Sequence, residues 1–516
     1  MDESSLAKLR NTSFLYGLGV SFVVYLFVSY TVTWLRLRHI NGPLLAKFSY
    51  FWLFSVSLKG KQALYSRQVI DKHGPLVRIG PNDLLTDDVE VIRRMNGARS
   101  KYGRSNWYHA MRMDPYQDSL FSIMDTPTHD KLKAQLSFGY GGKENPEIED
   151  GVNLQIQHWL DLIRRKYTSN ETDFRPMDFA RVTGYFTLDA ITKIAYGKEF
   201  GYLATESDVY DYMETMEGNV PKLALFSEIP AMGKLLFSHT ALKLIGPKLT
   251  DKTGIGKLMA VAHDVVGERF GANPKIRQDM LGSFLRHGIS QRQAESEVMF
   301  QIVAGSDTTA TALRGTMLLI LLTPRVYRCL QQEIDTAVTE GRLSTPMKAD
   351  EAKQLRYLQA VINEGLRLSN PFTALSMKEV PPEGDTIHGH FIPGGTRIGL
   401  SISSIHRSKA IFGADAEVFR PERWLLQEVE GKGREEQDYR YREMAQAVDL
   451  TFGYGRWACS GKAVAFMELN KVFVELLRNF DFQLVDPVNP IKIWNHNLSF
   501  QNGMWVRITE RRAPTT

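Results

Sequence analysis

Residues 452–461 read Phe452-Gly453-Tyr454-Gly455-Arg456-Trp457-Ala458-Cys459-Ser460-Gly461, and Cys459 is one of two cysteines in a chain of 516 residues. A lone cysteine in a glycine-bent loop that runs into a helix is placed to carry a thiolate. Gly453 and Gly455 permit left-handed turns that a side chain disfavours, so amide N–H groups can point at the sulfur. Downstream, Phe466, Leu469, Phe473, Leu476 and Phe480 recur at helical spacing, which predicts a helix from Lys462 to Phe480. Cys459 then stands at a helix N-terminus, where partial positive charge favours thiolate over thiol. Such a sulfur is a strong ligand for haem iron.

The same loop has a rival reading. Gly453-x-Gly455-x-x-Ala458 fits the dinucleotide pattern G-x-G-x-x-G/A, with a helix, Phe482–Val485 and Asp486 to follow. Against it, the strand expected before Gly453 is short and interrupted by Asp449, and the acid comes late. The rival also leaves Cys459 without a role.

Two further groups of residues have chemistry. Ala304-Gly305-Ser306-Asp307-Thr308-Thr309 lies inside a long apolar helical run that ends at Thr323-Pro324. A threonine hydroxyl there can take the carbonyl one turn back and open the helix. Gly305 removes bulk where a diatomic ligand needs room. The bland alternative is a helix kink with satisfied polar groups. Glu364 and Arg367 are three residues apart on a predicted helix, about Ala352 to Ser369, that Asn370-Pro371 ends. Such a pair is usually exposed and weak. Phe419-Arg420-Pro421-Glu422-Arg423-Trp424 supplies a possible partner downstream.

The elements that must position these residues are mostly helical. From His129 to about Arg342 the pattern is helix broken by turn clusters. Leu76–Ile79 and Leu84–Thr86 bracket Gly80-Pro81-Asn82 as a hairpin, and 379–400 reads as short strands and turns. Residues 427–443 are dense in charge and read as a solvated surface loop. The fold class is mainly α with a small β portion. The hydrophobic content of 43% is that of a globular protein with a large core, and no linker or repeat divides the chain. A net charge of +5 without a basic tract points away from nucleic acid. Cys329 and Cys459 form no disulfide framework, which fits a reducing compartment, and Cys329 reads as a packed small hydrophobe.

The N-terminus differs. From Asn11 to Leu35 there is no charged residue, and about 13–35 is long enough for one transmembrane helix. A cleaved signal peptide is the lesser reading, since no small-x-small site ends the stretch. The expected organisation is an anchor segment, 1–39, and a catalytic domain, 40–516.

Taken together, these residues resemble the cytochrome P450 family. Phe452, Gly455, Cys459 and Gly461 match its F-x-x-G-x-R-x-C-x-G loop. Trp457 stands where the family has an arginine, with Arg456 beside it, and cannot pair ionically with a haem propionate. Residues 304–309 resemble the oxygen-activation motif, which implies that Thr308 holds dioxygen or water and Asp307 relays protons. Glu364, Arg367 and Arg423 resemble the family's buried structural network. His129 and Lys133 resemble the H/W-x-x-x-R element, and Lys378 stands where an arginine is usual, which implies propionate contacts. Lys131 and Lys462, with Lys133 and Arg456, would add a positive face for an electron donor. Trp107, Tyr108, Phe372 and Met504 are candidates to touch substrate. The finer similarity is to fungal microsomal members akin to pisatin demethylase. The resemblance implies the P450 fold after one N-terminal transmembrane helix, in the endoplasmic reticulum membrane with the catalytic domain cytosolic. It further implies a haem and electrons from NADPH through a separate reductase. The reaction implied is insertion of one oxygen atom of dioxygen into a lipophilic small molecule, in fungal secondary metabolism. A nicotinamide-binding dehydrogenase and a non-catalytic haem-binding protein are the opposing readings.

Overall fold

The computed structural model describes residues 20–21, 24, 27–271, 273–425 and 434–511. About half of the expected anchor, about 13–35, lies outside them: residues 13–19, 22, 23, 25 and 26. Among the described residues no helix is long and apolar enough to cross a membrane.

Six helices frame the site: α1 (Thr126–Tyr140), α2 (Phe179–Tyr196), α3 (Tyr212–Glu228), α4 (Gln291–Leu321), α5 (Arg356–Leu368) and α6 (Lys462–Asn479). Helix α4 spans 31 residues and packs along α2 through the middle of the fold. It starts at Ser290, whose hydroxyl accepts from the Gln293 N–H, and stops where Pro324 cannot continue it. The helix expected over 352–369 begins later, at Arg356, after a separate turn at Ala349–Ala352.

A five-stranded sheet lies to one side, with strands β1 (Leu76–Gly80), β2 (Asp83–Thr86), β3 (Gly103–Arg104), β4 (Lys378–Glu379) and β5 (Arg397–Leu400). Their order is β1-β2-β5-β4-β3, and only β2 and β5 run parallel. The hairpin expected around Gly80-Pro81-Asn82 is β1 and β2. The main hydrophobic core lies among the helices, and a second cluster, with Val77, Ile79, Trp107, Tyr108 and Met377, backs the sheet.

One expectation fails. Part of the charge-rich segment read as a loop is helical, from Arg434 to Asp449. Its apolar side chains, Met444, Ala447 and Val448, are buried at helical spacing near its end, so few of them sufficed.

Candidate active site

Cys459 sits in the loop ahead of α6. Its backbone N–H donates to the Phe452 carbonyl at 2.7 Å, which closes the loop on itself. Gly453 (φ 72°) and Gly455 (φ 60°) are both left-handed. A Cβ at Gly455 would lie 2.3 Å from the Asn96 carbonyl, so the loop also passes too close to a neighbouring segment for any side chain. The Phe452 and Phe466 rings pack at 5.4 Å and tie the loop to α6. Gly461 lies beside the sulfur, its Cβ position 3.9 Å from Sγ.

The Cys459 thiol keeps accessible surface while protein atoms surround it, so it lies in a recess. Burial raises its pKa, and the Gly461 and Lys462 N–H groups with the Lys133 and Lys462 charges only partly oppose this. The helix N-terminus alone therefore does not secure the thiolate. A metal cation bound there would supply the missing charge.

The dinucleotide reading fails on topology. The loop follows a helix and a short 3₁₀ turn, not a strand. The strand after α6, Phe480–Leu484, pairs antiparallel with Trp505–Glu510, so no βαβ unit exists around the loop.

Next to the loop lies a group of cations without counter-charges. Arg104 on β3 is paired across the ladder directly with Lys378 on β4. Like charges in that position repel. Both are buried; Lys378 Nζ and Arg104 Nε have no hydrogen-bond partner among the described residues, while Arg104 Nη1 donates to the Leu120 and Ile123 carbonyls at 2.7 and 3.0 Å. Burial pulls Arg104 down to about 10 and Lys378 well below the ordinary lysine value, to which Arg104 adds. Both cations lie over the Trp457 ring, Arg104 at 4.3 Å and Lys378 at 3.7 Å from its centroid. Trp457 Nε1 is buried and unpartnered as well. The His129 ring packs on Trp457 at 4.3 Å, and burial with the Arg104 charge lowers its pKa to about 4. It is neutral at pH 7 and offers a hydrogen bond, not a charge.

These donors fit a haem. Buried cations that have no carboxylate partner among the described residues, with an indole N–H, want carboxylates, which propionates provide, and a thiol in the adjoining recess wants a metal. Two candidate contacts differ from expectation. Lys133 donates to the Arg456 and Ala458 carbonyls, at 2.7 and 2.6 Å, and so braces the cysteine loop. Arg456 turns toward the Ala98 carbonyl and Asp130. Arg104, not singled out from sequence, takes the position expected of them.

Glu364, Arg367 and Arg423 come together. Arg367 binds Glu364 with two parallel bonds, at 2.9 and 2.7 Å. Glu364 also accepts from Arg423 Nε at 2.9 Å, Trp424 Nε1 at 2.9 Å and the Arg420 N–H at 3.0 Å. Burial alone would raise the Glu364 pKa, but the two arginines hold it below the usual value. Arg367 reaches the His406 carbonyl at 2.7 Å, and His406 Nε2 meets the Ala447 carbonyl at 3.2 Å. The network is thereby linked to the helix that leads into the cysteine loop.

On α4, Thr308 Oγ1 donates to the Ala304 carbonyl at 2.7 Å, yet the helix continues unbroken. Gly305 serves a different purpose from the one expected. A Cβ there would lie 2.7 Å from Ile191 of α2, so this glycine lets two helices approach. Asp307 is pushed up to about 6 by burial, with Arg314 and Tyr212 pulling it back. Tyr212 follows two consecutive left-handed residues, Tyr210 (φ 62°) and Asp211 (φ 56°). Such positions cost roughly 1–3 kcal/mol each. Asp208 capping the Met213 and Glu214 N–H groups, and Lys257 on Asp211, hold them in place.

Of the substrate candidates, Trp107 and Met504 have no accessible surface and Tyr108 has little, so all three are packing. Tyr108 lies under Arg104 and Lys378. Phe372 is half-buried and meets Phe121 edge-on, while Phe121 stacks on Phe300 at 5.1 Å. Phe121 and Phe300 are far apart in the chain, and only the fold places them together.

A mainly helical fold with a cysteine loop ahead of a long helix, which packs against a second helix carrying Asp307 and Thr308, fits a haem-thiolate class. The Cytochrome P450 family model matches residues 50–503, and the chain belongs to that family. It is 48% identical over 514 residues to cytochrome P450 monooxygenase ABA1 of Pyricularia oryzae, covering 98% of this chain and 99% of that one. It is 45% identical to aba1 of Botryotinia fuckeliana, covering 92% of each. Pisatin demethylase of Fusarium vanettenii is 27% identical over 97% of this chain and 94% of its own. The protein is thus an enzyme of the cytochrome P450 monooxygenase family. Membership implies a haem on a cysteine thiolate and a redox partner that supplies electrons.

Proposed function

We propose that the protein inserts one oxygen atom of dioxygen into a lipophilic small molecule, with Cys459 as the iron ligand. The observation that carries this is the exposed Cys459 in a loop beside two buried cations, Arg104 and Lys378, that have no carboxylate partner among the described residues. When bound, the haem supplies the oxidising chemistry. The chain's own residues orient and protect it. Lys133 holds the cysteine loop by its carbonyls, and Arg104, Lys378, Trp457 and His129 bind the propionates. Asp307 passes protons inward, and the Thr308 hydroxyl, whose proton goes to the Ala304 carbonyl, accepts a hydrogen bond beside it. Phe121, Phe300 and Phe372 aim an apolar substrate and keep water out. Glu364, Arg367 and Arg423 lock the core behind the loop.

The substrate is a fungal secondary metabolite in this reading, in keeping with the fungal relatives. Electrons come from NADPH through a separate reductase. The chain is held in the endoplasmic reticulum membrane by residues 13–35, with the domain from residue 40 in the cytosol. Exposed apolar side chains support a lipid-facing side: Leu44 (72% exposed), Phe51 (59%), Leu235 (73%) and Leu244 (75%). Arg78 binds the Thr33 and Trp34 carbonyls, at 3.1 and 3.2 Å, which fastens the last turn of the anchor segment to the domain.

Carbon monoxide added to the reduced, haem-loaded protein tests the ligand. A red-shifted Soret band that Cys459→Ser abolishes is expected; a Cys459→Ser variant that keeps the band and turnover would refute the assignment. Comparing metabolite extracts from cells with and without the gene tests the substrate class. Protease treatment of sealed microsomes tests the topology, and protection of the large domain would overturn it.

A further inference from the structure

Tyr212 opens α3, and its hydroxyl lies 3.1 Å from Asp307 Oδ2 and 3.2 Å from Ser306 Oγ. Ser306 donates its own hydroxyl proton to the Ile302 carbonyl, at 2.7 Å, so toward Tyr212 it can only accept. One phenolic proton therefore has two acceptors. With Asp307 ionised, the proton goes to the carboxylate as a charge-assisted bond. With Asp307 protonated, the carboxyl O–H donates to the phenol oxygen and the phenol proton turns to Ser306. The inventory of donors and acceptors closes in both states. The surroundings offer little else, since Phe200, Tyr202, Met216 and Ile302 line the apolar cleft around Tyr212.

We propose that Tyr212 and Ser306 are positioning residues that hold the Asp307 carboxyl in both its protonation states and set its proton affinity. The inference rests on the reading of Asp307 as the proton carrier. The other charged and titratable groups facing Asp307 are Arg314 of α4, which favours its charge, Glu217 of α3 and Asp208 ahead of α3, which oppose it, and the Tyr202 phenol. Among the described residues, Tyr212 is the side chain that hydrogen-bonds the Asp307 carboxyl. The two left-handed residues before it are the backbone cost of bringing it there.

The two positioning residues predict opposite effects. Tyr212→Phe removes the donor to the ionised carboxylate, so Asp307 should hold its proton to higher pH. The expected shift is about one pH unit, tenfold in proton affinity. Ser306→Ala removes the acceptor used only when Asp307 is neutral, so its midpoint should move down, by less. Infrared difference spectra of the haem-loaded protein against pH read the midpoint directly, and Asp307→Asn assigns the carboxyl band. The carbon monoxide spectrum of each variant checks that the fold and haem site are intact. Shifts in opposite directions support the proposal. Unmoved midpoints, or shifts in the same direction, overturn it. The carrier reading is tested separately by product formed per NADPH in Asp307→Asn. Full coupling there removes Asp307 as carrier, whatever the infrared midpoints show.

Discussion

Two buried charge clusters flank the cysteine loop, and they are built on opposite terms. Around Glu364 every charge is answered: two arginines, an indole N–H and a backbone N–H converge on one carboxylate. Around Trp457, Arg104 and Lys378 face each other across a ladder with no acid of comparable burial between them. A closed network is complete without any ligand and holds shape. An open one carries a desolvation cost that an anion can relieve, and this marks a place where something binds.

Removing Glu364 should hurt most. Glu364→Ala leaves Arg367 buried without its carboxylate, with Arg423 keeping Asp415, and should cost about 3–5 kcal/mol. Chemical denaturation and haem content check this; normal stability with full haem would place the cluster among surface pairs. Lys378→Met should split stability from binding. The haem-free protein should gain on the order of 1–2 kcal/mol as an unpaired buried charge is lost. Haem affinity should nevertheless fall about tenfold or more, as one charge-assisted bond of about 1.5–3 kcal/mol disappears. Denaturation of the haem-free form and haem titration measure the two arms. A loss in both would mean that the cations already have partners.

The pH dependence separates the clusters again. The Glu364 pKa is lowered in the fold, so its contribution is present above the unfolded value, about 4.3, and is lost as pH falls through the folded value. The Lys378 pKa is also lowered, but for a base this is a cost. The unfolded chain holds its proton up to about 10.4, so haem-free stability should rise with pH through the window below that value. Lys378→Met should flatten this alkaline rise and leave the acid limb alone. Equilibrium denaturation across pH reads both limbs. The smallest effect is an uncharged control, Gly305→Ala. Overpacking against Ile191 costs about 1–3 kcal/mol, less about 1 kcal/mol of helix propensity. Ile191→Ala in the same chain should relieve it, as a thermal melt would show.

The closed cluster was legible in the sequence and the open one only in part. Glu364 and Arg367 are neighbours on one helix face, and Arg423 lies in a short motif of its own. The cysteine loop was equally local, with its glycines, its cysteine and the helix after it in one stretch. Arg104 carried no such signal, because what gives it a role is strand pairing with Lys378, distant in the chain. The same holds for Tyr212, which reaches Asp307 through a left-handed turn with no glycine to announce it. Trp107, Tyr108 and Met504 failed as substrate contacts because an aromatic or methionine reads alike in a pocket wall and in a core. Gly305 was read as making space for a ligand, and the space is taken by Ile191.

The sequence by itself determined the cysteine loop, the long helix that carries Asp307 and Thr308 and the class of fold, because each is written in residues that are neighbours along the chain or one helical turn apart. Only the tertiary structure decided which cations lack partners, which aromatics keep a surface, and which hydroxyls share a proton with Asp307. Those properties depend on burial and on what distant segments bring alongside, and a linear order of residues does not contain them.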